Sequence, residues 1–177
     1  LADVPVHFGY DITSVGRLQM RGSFNPQASK VVREAVLPTW STQDFSTPAG
    51  MDLLYLAVGQ AIGEKVHQKS RAQVSKIVAD ALDNKFKPVL DMLIEWQEES
   101  NVTEDVFENQ SIARIDAVAL RKAYAAAGVN EPTPVMHHAL MEVARLRRAS
   151  EAEKKQFRTS LYVEADGVTN GAAMSML

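Results

Sequence analysis

The chain has 177 residues, of which 46% are hydrophobic and 23% charged, a composition typical of a globular protein with one core. Its net charge of -3 argues against a uniformly basic protein that coats nucleic acid, and the lack of cysteine excludes disulfides and thiolate metal sites. No apolar run approaches the roughly 18 residues needed to span a membrane.

The beginning of the chain predicts extended structure interrupted by glycines. Residues 7–24 contain Gly9, Gly16 and Gly22, and the segment runs into Phe24-Asn25-Pro26-Gln27, which is typical of a turn. Residues 7–27 are therefore predicted to form one strand region.

Three segments of different character follow. A short helix is expected from Ser29 to Leu37, because Pro38 stops it. Residues 39–48 are rich in Ser, Thr and Pro and are expected to form a loop. Residues 51–65 are apolar on nearly all sides, which predicts a buried helix.

The next helix has a clear start signal. Ser70 and Gln73 have the spacing of a capping box, in which each side chain accepts a hydrogen bond from the other's backbone N–H. Apolar residues from Val74 to Leu82 then recur at helical spacing. Pro88 must kink this helix or begin a new one.

Three further start signals lie downstream: Asp116, the dipeptide Thr133-Pro134, and a second capping box formed by Ser150 with Glu153. The helix that begins after Asp116 is expected to reach Ala127, because Gly128 favours termination. The pattern predicts a mainly α chain with a few β-strands, of the α+β class, in which residues 28–158 form a helical region.

Charge is distributed unevenly along this helical region. Residues 80–108 are strongly acidic, whereas residues 142–158 carry six basic side chains against three acidic ones. The basic segment is equally consistent with a solvated helix face and with a helix that faces phosphates. His137 and His138 are adjacent and point in different directions on a helix, which favours ordinary helix residues over a shared metal site.

The end of the chain predicts a strand that carries a carboxylate into a glycine turn. Leu161, Val163 and Ala165 alternate with polar residues, as in a half-buried strand, and Asp166-Gly167 follows directly. An aspartate in this position can bind a metal ion. By its spacing alone it is more often a cap of the next turn.

Two motifs favour the metal-ligand interpretation. Thr13-Ser14-Val15-Gly16-Arg17, followed closely by the Phe24-Asn25-Pro26-Gln27 turn, resembles the T/D-x-x-G-R motif of single-subunit phage and mitochondrial DNA-dependent RNA polymerases. Asp166-Gly167-Val168-Thr169-Asn170-Gly171 resembles motif A of the same family. With Thr13 opening the first motif and Asn170 in place of the usual Ser, the chain looks most similar to the divergent virion-packaged phage RNA polymerases.

This resemblance implies template-directed ribonucleotide addition by a two-metal mechanism. It implies that Asp166 and Arg17 are catalytic residues, and that Asp166 and the backbone carbonyl of Gly167 bind Mg²⁺. Arg17 would contact the nucleic-acid backbone near the active site. Contacts with nucleic acid or nucleotide are also expected from a wider set: Thr13, Gly16, Arg21, Asn170 and Gly171, with Lys30 and Arg33 as further phosphate contacts.

The resemblance further implies a partial polymerase palm with an adjoining helical region, in which residues 159–177 supply the motif A strand and the start of a helix. Arg17 and Asp166 should then line one cleft, with strands from both chain ends in or near one sheet. The sequence contains neither the R-x-x-x-K motif nor the H-D-S motif that carries the second metal-binding aspartate in this family. The chain alone is therefore expected to be an inactive fragment.

The expected partners of the parent enzyme are a DNA template, an RNA product, nucleoside triphosphates and the missing downstream segments, with no membrane. The expected location is the phage virion or the cytoplasm of the bacterial host. One alternative comes from a different class: a non-catalytic helical interaction module or a polymerase remnant.

Overall fold

The computed structural model of the chain describes residues 7–25, 27–36, 39–100 and 114–163. Helices dominate these ranges, which confirms the mainly α class with a few strands. The α-helices are α1 (Lys30–Val36), α2 (Pro48–Ala61), α3 (Arg71–Asp80), α4 (Lys87–Glu99), α5 (Ala117–Ala126), α6 (Pro134–Arg148) and α7 (Glu151–Lys154). The strands are β1 (Tyr10–Ile12), β2 (Leu18–Met20), β3 (Ser41–Gln43) and β4 (Phe157–Thr159). Within the described ranges, no helix combines the length and the apolar character needed to cross a membrane.

The predicted start signals begin helices in the structure. Ser70 Oγ accepts a hydrogen bond from the Gln73 N–H at 3.3 Å, and Gln73 Oε1 accepts one from the Ser70 N–H at 2.9 Å. The second capping box, Ser150 with Glu153, has the same reciprocal bonds at the start of α7. Asp116 caps α5, and Thr133 caps α6 ahead of its proline. These bonds satisfy backbone donors that the first helical turn leaves unpaired.

Two neighbouring segments, β3 and α2, differ from the prediction. The buried helix begins at Pro48 rather than Met51, because Thr47 caps it and proline occupies its first turn, and it ends at Ala61. The predicted loop over residues 39–48 contains β3, which pairs with β4 in an antiparallel arrangement that places Ser41 opposite Thr159. The partner strand is more than a hundred residues away in sequence, so local composition does not reveal it.

The core lies between α2, α3, α4 and α6. Its most deeply buried apolar side chains include Val58, Val78, Leu90, Leu93 and Leu140. α2 packs closely at Gly59, where an added Cβ would lie 2.7 Å from Val66 Cγ1 and 2.8 Å from Val78 Cγ2 of α3. A side chain at this position would force these two valines to shift.

A π-helical turn at Ala81–Lys85 separates α3 from α4. Buried side chains recur every four residues from Val74 to Leu90. In a regular α-helix such a spacing drifts by about 40° per step, or about 160° over four steps, away from the core. The wider turn, in which the Phe86 N–H donates to the Ala81 carbonyl at 2.8 Å, accommodates one extra residue and so offsets about 100° of this rotation. Pro88 lies in the first turn of α4, so it starts a new helix.

Candidate functional site

The Thr13-to-Arg17 motif forms the tip of a β-hairpin. β1 and β2 pair in an antiparallel arrangement, with Tyr10 opposite Met20 and Ile12 opposite Leu18. The Gly16 N–H donates to the Thr13 carbonyl at 2.9 Å, and the Thr13 N–H donates to the Arg17 carbonyl at 2.8 Å. The motif is therefore a β-turn closed by a left-handed residue, a common three-residue hairpin connection.

Each motif residue has a distinct role in this turn. Thr13 Oγ1 accepts a hydrogen bond from the Arg17 N–H at 3.1 Å and so fixes the backbone of the arginine. Gly16 has φ of +75°, a conformation that side chains with a Cβ disfavour, and a Cβ there would meet nothing within 4 Å. Arg17 is exposed. Thr13 and Gly16 thus shape the turn, and Arg17 is presented to solvent.

Arg21 lies at the base of the same hairpin and is paired. Its Nε donates to Asp11 Oδ1 at 2.8 Å, and its Nη2 contacts the same oxygen. The hydrogen bond from Arg21 lowers the pKa of the Asp11 carboxyl, and the pKa of Arg21 is raised in return. Both side chains are more than half exposed, so Arg21 remains accessible to an anion while it is paired with Asp11.

The Phe24-to-Gln27 turn attaches the hairpin to α1. Asn25 is buried; its Nδ2 donates to the Gly22 carbonyl at 2.5 Å, and its Oδ1 accepts from the Gln27 N–H at 2.8 Å. Gln27 Oε1 in turn accepts from the Met20 N–H at 2.7 Å. The two motifs that the resemblance links in sequence are therefore one hydrogen-bonded unit.

The two additional phosphate contacts expected near this unit belong to α1. Arg33 is half-buried there, and the side chain of Lys30 lies outside the described part of the structure. The neighbouring Glu34 is buried, and its Oε2 accepts a hydrogen bond from the Val135 N–H at 3.3 Å. α1 thereby places a carboxylate against the N-terminus of α6, where negative charge is favourable.

The basic segment makes several internal ion pairs. Arg145 binds Glu142 in a bidentate manner, at 3.2 Å from Nε and 2.8 Å from Nη2. Arg147 pairs with Asp83 of the π-helical turn at 2.6 Å, and Lys154 pairs with Glu151 at 2.6 Å. These ion pairs engage Arg145, Arg147 and Lys154, which argues against the phosphate-facing interpretation for these three side chains.

The two adjacent histidines of α6 also have structural partners. His137 Nδ1 lies 2.8 Å from the Tyr124 hydroxyl, and His138 Nε2 lies 2.8 Å from Ser160 Oγ. Burial lowers the pKa of both imidazoles. Both histidines therefore lie in α6 and each contacts a neighbouring side chain. Across the described ranges, no group of three or more His, Asp or Glu side chains could hold a metal ion.

The strand near the end of the chain lies earlier than predicted. β4 spans Phe157–Thr159, whereas residues 161–163, which begin the predicted strand, have no strand conformation. β4 pairs with β3, and β1 pairs with β2, so the described strands form two separate two-stranded sheets. Asp166, Gly167, Asn170 and Gly171 lie outside the described residues. A shared cleft for Arg17 and Asp166 therefore stays a prediction.

Sequence reasoning missed a cluster of arginine and aromatic side chains that the pairing of β3 with β4 brings together. The guanidinium carbon of Arg158 lies 5.7 Å from the centre of the Trp40 ring, and that of Arg145 lies 6.0 Å from it. Arg145 also covers the Phe157 ring at 4.1 Å. The only local signal was a tryptophan within a Ser- and Thr-rich segment.

Comparison with known families identifies the class of this chain. Residues 52–147 match the plug insertion of virion DNA-directed RNA polymerase, and residues 1–36 match a domain of virion DNA-directed RNA polymerase. The chain therefore belongs to the virion DNA-directed RNA polymerase family, which confirms the resemblance seen in the motifs. The plug-insertion match covers the helical middle, where motif reasoning found no signal.

One relative extends the match over the whole chain. The virion DNA-directed RNA polymerase of Enterobacteria phage N4 is 38% identical over 179 aligned residues. The alignment covers 100% of this chain and 5% of the phage N4 protein. The chain thus spans about one twentieth of the length of this relative.

Proposed function

We propose that this chain is a segment of a virion-packaged DNA-directed RNA polymerase that adds ribonucleotides to an RNA product along a DNA template. The observation that carries the proposal is the 38% identity with the phage N4 polymerase along the entire chain. The parent enzyme would act in the phage virion or the bacterial cytoplasm. Its partners would be the DNA template, the RNA product and nucleoside triphosphates.

The hairpin contributes a phosphate contact. Its turn fixes the backbone of Arg17 through the Thr13 hydroxyl and presents the guanidinium to solvent. A guanidinium suits this role because its planar fork of donors binds two phosphate oxygens at once. Arg21, on the same hairpin, adds a second cation whose position is set by Asp11. Thr13 and Gly16 act by positioning Arg17.

Asp166 and the Gly167 carbonyl provide the metal-binding oxygens of this segment. Their donor chemistry fits Mg²⁺, which prefers hard oxygen ligands and uses one or two carboxylates together with waters and phosphates. The bound ion would lower the pKa of the attacking 3′-hydroxyl and stabilise the leaving oxygen. Gly167 and Gly171 would let the backbone approach the triphosphate closely, and Asn170 would lie beside the nucleotide.

The segment is incomplete as a catalytic site. Two-metal chemistry needs a second carboxylate, and the motif that carries it in this family is absent from the sequence. The R-x-x-x-K motif that binds the triphosphate is absent as well. The isolated chain is therefore proposed to be inactive, with nucleotide addition restricted to the larger polypeptide.

The helical region is proposed to be an insertion between the two motif-bearing ends. The plug-insertion match covers residues 52–147, and the separate domain match covers residues 1–36. α2, α3, α4 and α6 also share one buried core. An insertion with its own core can be accommodated between the hairpin and the Asp166 segment without supplying residues to either.

The experiment that tests the proposal is nucleotide incorporation by the polymerase polypeptide that contains this segment. Asp166→Asn should abolish nearly all incorporation and leave template binding close to that of the unmodified enzyme, because it removes a metal ligand and little packing. Arg17→Ala should weaken template binding. Incorporation is measured with labelled ribonucleotides, and binding is measured by fluorescence anisotropy.

Matched controls come from the helical region. Asp91→Asn removes an exposed carboxylate of α4, and Arg121→Ala removes an exposed guanidinium of α5. Both variants should retain full incorporation and template affinity. Elongation at the unmodified rate by the Asp166→Asn polymerase would refute the assignment of Asp166.

A further inference from the structure

An exposed tryptophan beside β3 lies close to two guanidinium groups. Trp40 is 49% exposed, although most large apolar side chains of the helical region are buried. The Arg158 guanidinium carbon lies 5.7 Å from the centre of its ring and the Arg145 guanidinium carbon 6.0 Å. These distances are within the range of cation–π attraction, so the indole is held in place while part of its surface remains open.

The two arginines differ in burial. The Arg145 side chain is only 15% exposed and is fixed by its bidentate pair with Glu142 and by a hydrogen bond from its Nη2 to the Arg158 carbonyl. Its charge is balanced by Glu142. Arg158 is exposed on β4. Arg145 is thus a structural support, whereas Arg158 lies on the exposed face of β4.

The strand pairing gives the cluster a rigid base. Thr42 lies opposite Arg158, while Phe157 and Thr159, on either side of Arg158, are buried. The alternation of a strand therefore directs Arg158 away from the core. Phe157 packs on Phe45 with ring centres 5.5 Å apart and so joins this small sheet to the core.

We propose that Trp40 and Arg158 form a binding site for an unpaired nucleotide of single-stranded nucleic acid. The open surface of the indole would stack on a base, and the Arg158 guanidinium would bind the adjoining phosphate. An aromatic platform beside a cation is the arrangement by which proteins bind single strands without reading their sequence. Every base has an aromatic face on which an indole can stack, so the site would accept any nucleotide sequence.

The position of the site along the chain fits this ligand. Arg158 precedes Asp166 by eight residues, and a chain of eight residues spans at most about 26–29 Å. The Cα atoms of Arg158 and of the proposed metal ligand therefore lie no farther apart than this. The inference rests on the proposed polymerase function for its ligand class. Its test uses binding alone, so it can fail while nucleotide incorporation still depends on Asp166.

The first measurement is tryptophan fluorescence of the full chain. The chain has two tryptophans, so Trp96→Phe leaves Trp40 as the sole reporter and Trp40→Phe leaves Trp96. Titration with oligothymidylate or oligouridylate should quench the Trp40 reporter, because a stacked base quenches indole emission. The Trp96 reporter should not respond. The stronger of the two ligands indicates whether the strand held here is DNA or RNA.

The second measurement is affinity as a function of salt. Trp40→Ala should weaken binding of the preferred single strand roughly 5- to 150-fold, the loss expected for one base–aromatic stack. Arg158→Ala should weaken binding and reduce the slope of log affinity against log salt by about 0.7, the value for one phosphate contact on a single strand. Arg121→Ala is the matched control and should change neither quantity.

Two results would overturn the inference. One is equal quenching of the Trp40 and Trp96 reporters by the single strand. The other is unchanged affinity in Trp40→Ala, with a circular dichroism spectrum like that of the unmodified chain. Either result would leave the contacts of Trp40 with Arg145 and Arg158 as purely structural interactions.

Discussion

The hairpin and the helical region are stabilised in different ways. The helical region buries its apolar side chains between α2, α3, α4 and α6. The hairpin instead exposes Tyr10, Ile12, Val15 and Leu18, and its shape depends on short-range hydrogen bonds within the turn and the Phe24-to-Gln27 segment. Among the described residues, the apolar core therefore belongs to the helical region, whereas the hairpin carries the Thr13-to-Arg17 motif.

This difference explains why the hairpin motif needs particular residue types. Thr13, Gly16 and Asn25 each make a local bond or adopt a conformation that few other residues allow. Core positions such as Leu140 need only apolar volume, which several residues can provide. A motif is therefore recognisable in the sequence where the backbone conformation allows few residue types. This does not require the segment to be stable by itself.

The largest expected contrast comes from truncating one apolar side chain in each region. Leu140→Ala should lower the free energy of unfolding by about 2–5 kcal/mol, because Leu140 is fully buried in α6. Ile12→Ala should change it by less than about 0.5 kcal/mol, because Ile12 is 76% exposed. Urea denaturation followed by circular dichroism measures both. A loss above 2 kcal/mol for Ile12→Ala would contradict the comparison.

A smaller effect is expected from substituting the left-handed glycine of the hairpin. Gly16→Ala should cost about 1–2 kcal/mol of local stability, because its φ of +75° is unfavourable for alanine. Amide exchange at Thr13 should accelerate roughly 5- to 30-fold, while the urea midpoint of the helical region stays unchanged. Gly16→Asn is the control and should have a weaker effect, since asparagine tolerates this conformation. Equal losses of local stability in the two variants would mean that the loss comes from adding a side chain and not from the backbone conformation at residue 16.

The smallest expected effect is a pH dependence confined to the helical region. Burial lowers the pKa of His137, and the nearby His138 lowers it further. Burial also lowers the pKa of His138; Glu142 opposes this shift and Arg145 adds to it. In the unfolded chain both histidines have pKa values near 6.5. As the pH falls through 6.5, the unfolded chain therefore binds protons that the folded chain does not yet bind. The free energy of unfolding should therefore decrease as pH falls through 6.5 and level off below the folded pKa values.

Urea denaturation between pH 5 and 8 measures this slope. The double variant His137→Gln with His138→Gln should flatten it, because it removes both titrating groups. Hairpin amide exchange, corrected for the intrinsic pH dependence of the reaction, should show no matching change. A slope that persists in the double variant would assign the pH dependence to other groups.

The sequence predicted features that are decided within a few residues. The capping pairs Ser70 with Gln73 and Ser150 with Glu153 begin helices as expected, because each bond joins residues three apart. The helix before Gly128 also ends as expected, with Gly128 at φ of +77°. The motif comparison identified the virion polymerase family, which the family matches confirm.

The sequence did not reveal features that depend on distant partners. The sequence predicts a loop where β3 forms, because Ser41 pairs with Thr159 on the far side of the helical region in sequence. The Arg147–Asp83 ion pair and the Trp40–Arg158 contact likewise join residues far apart in sequence. Of the two parts of the candidate site, the structure describes the hairpin with Arg17. The part that contains Asp166 remains a prediction from its motif.

The π-helical turn at Ala81–Lys85 has a consequence for reading the sequences of relatives. A regular α-helix rotates about 100° per residue, so a relative that lacks one residue in this turn could continue as an unbroken α-helix from α3 into α4. The apolar residues before and after the gap would then keep their directions toward the core. A single-residue gap at this position is thus a compatible length variation, whereas the same gap within α6 would turn half of that helix away from its neighbours.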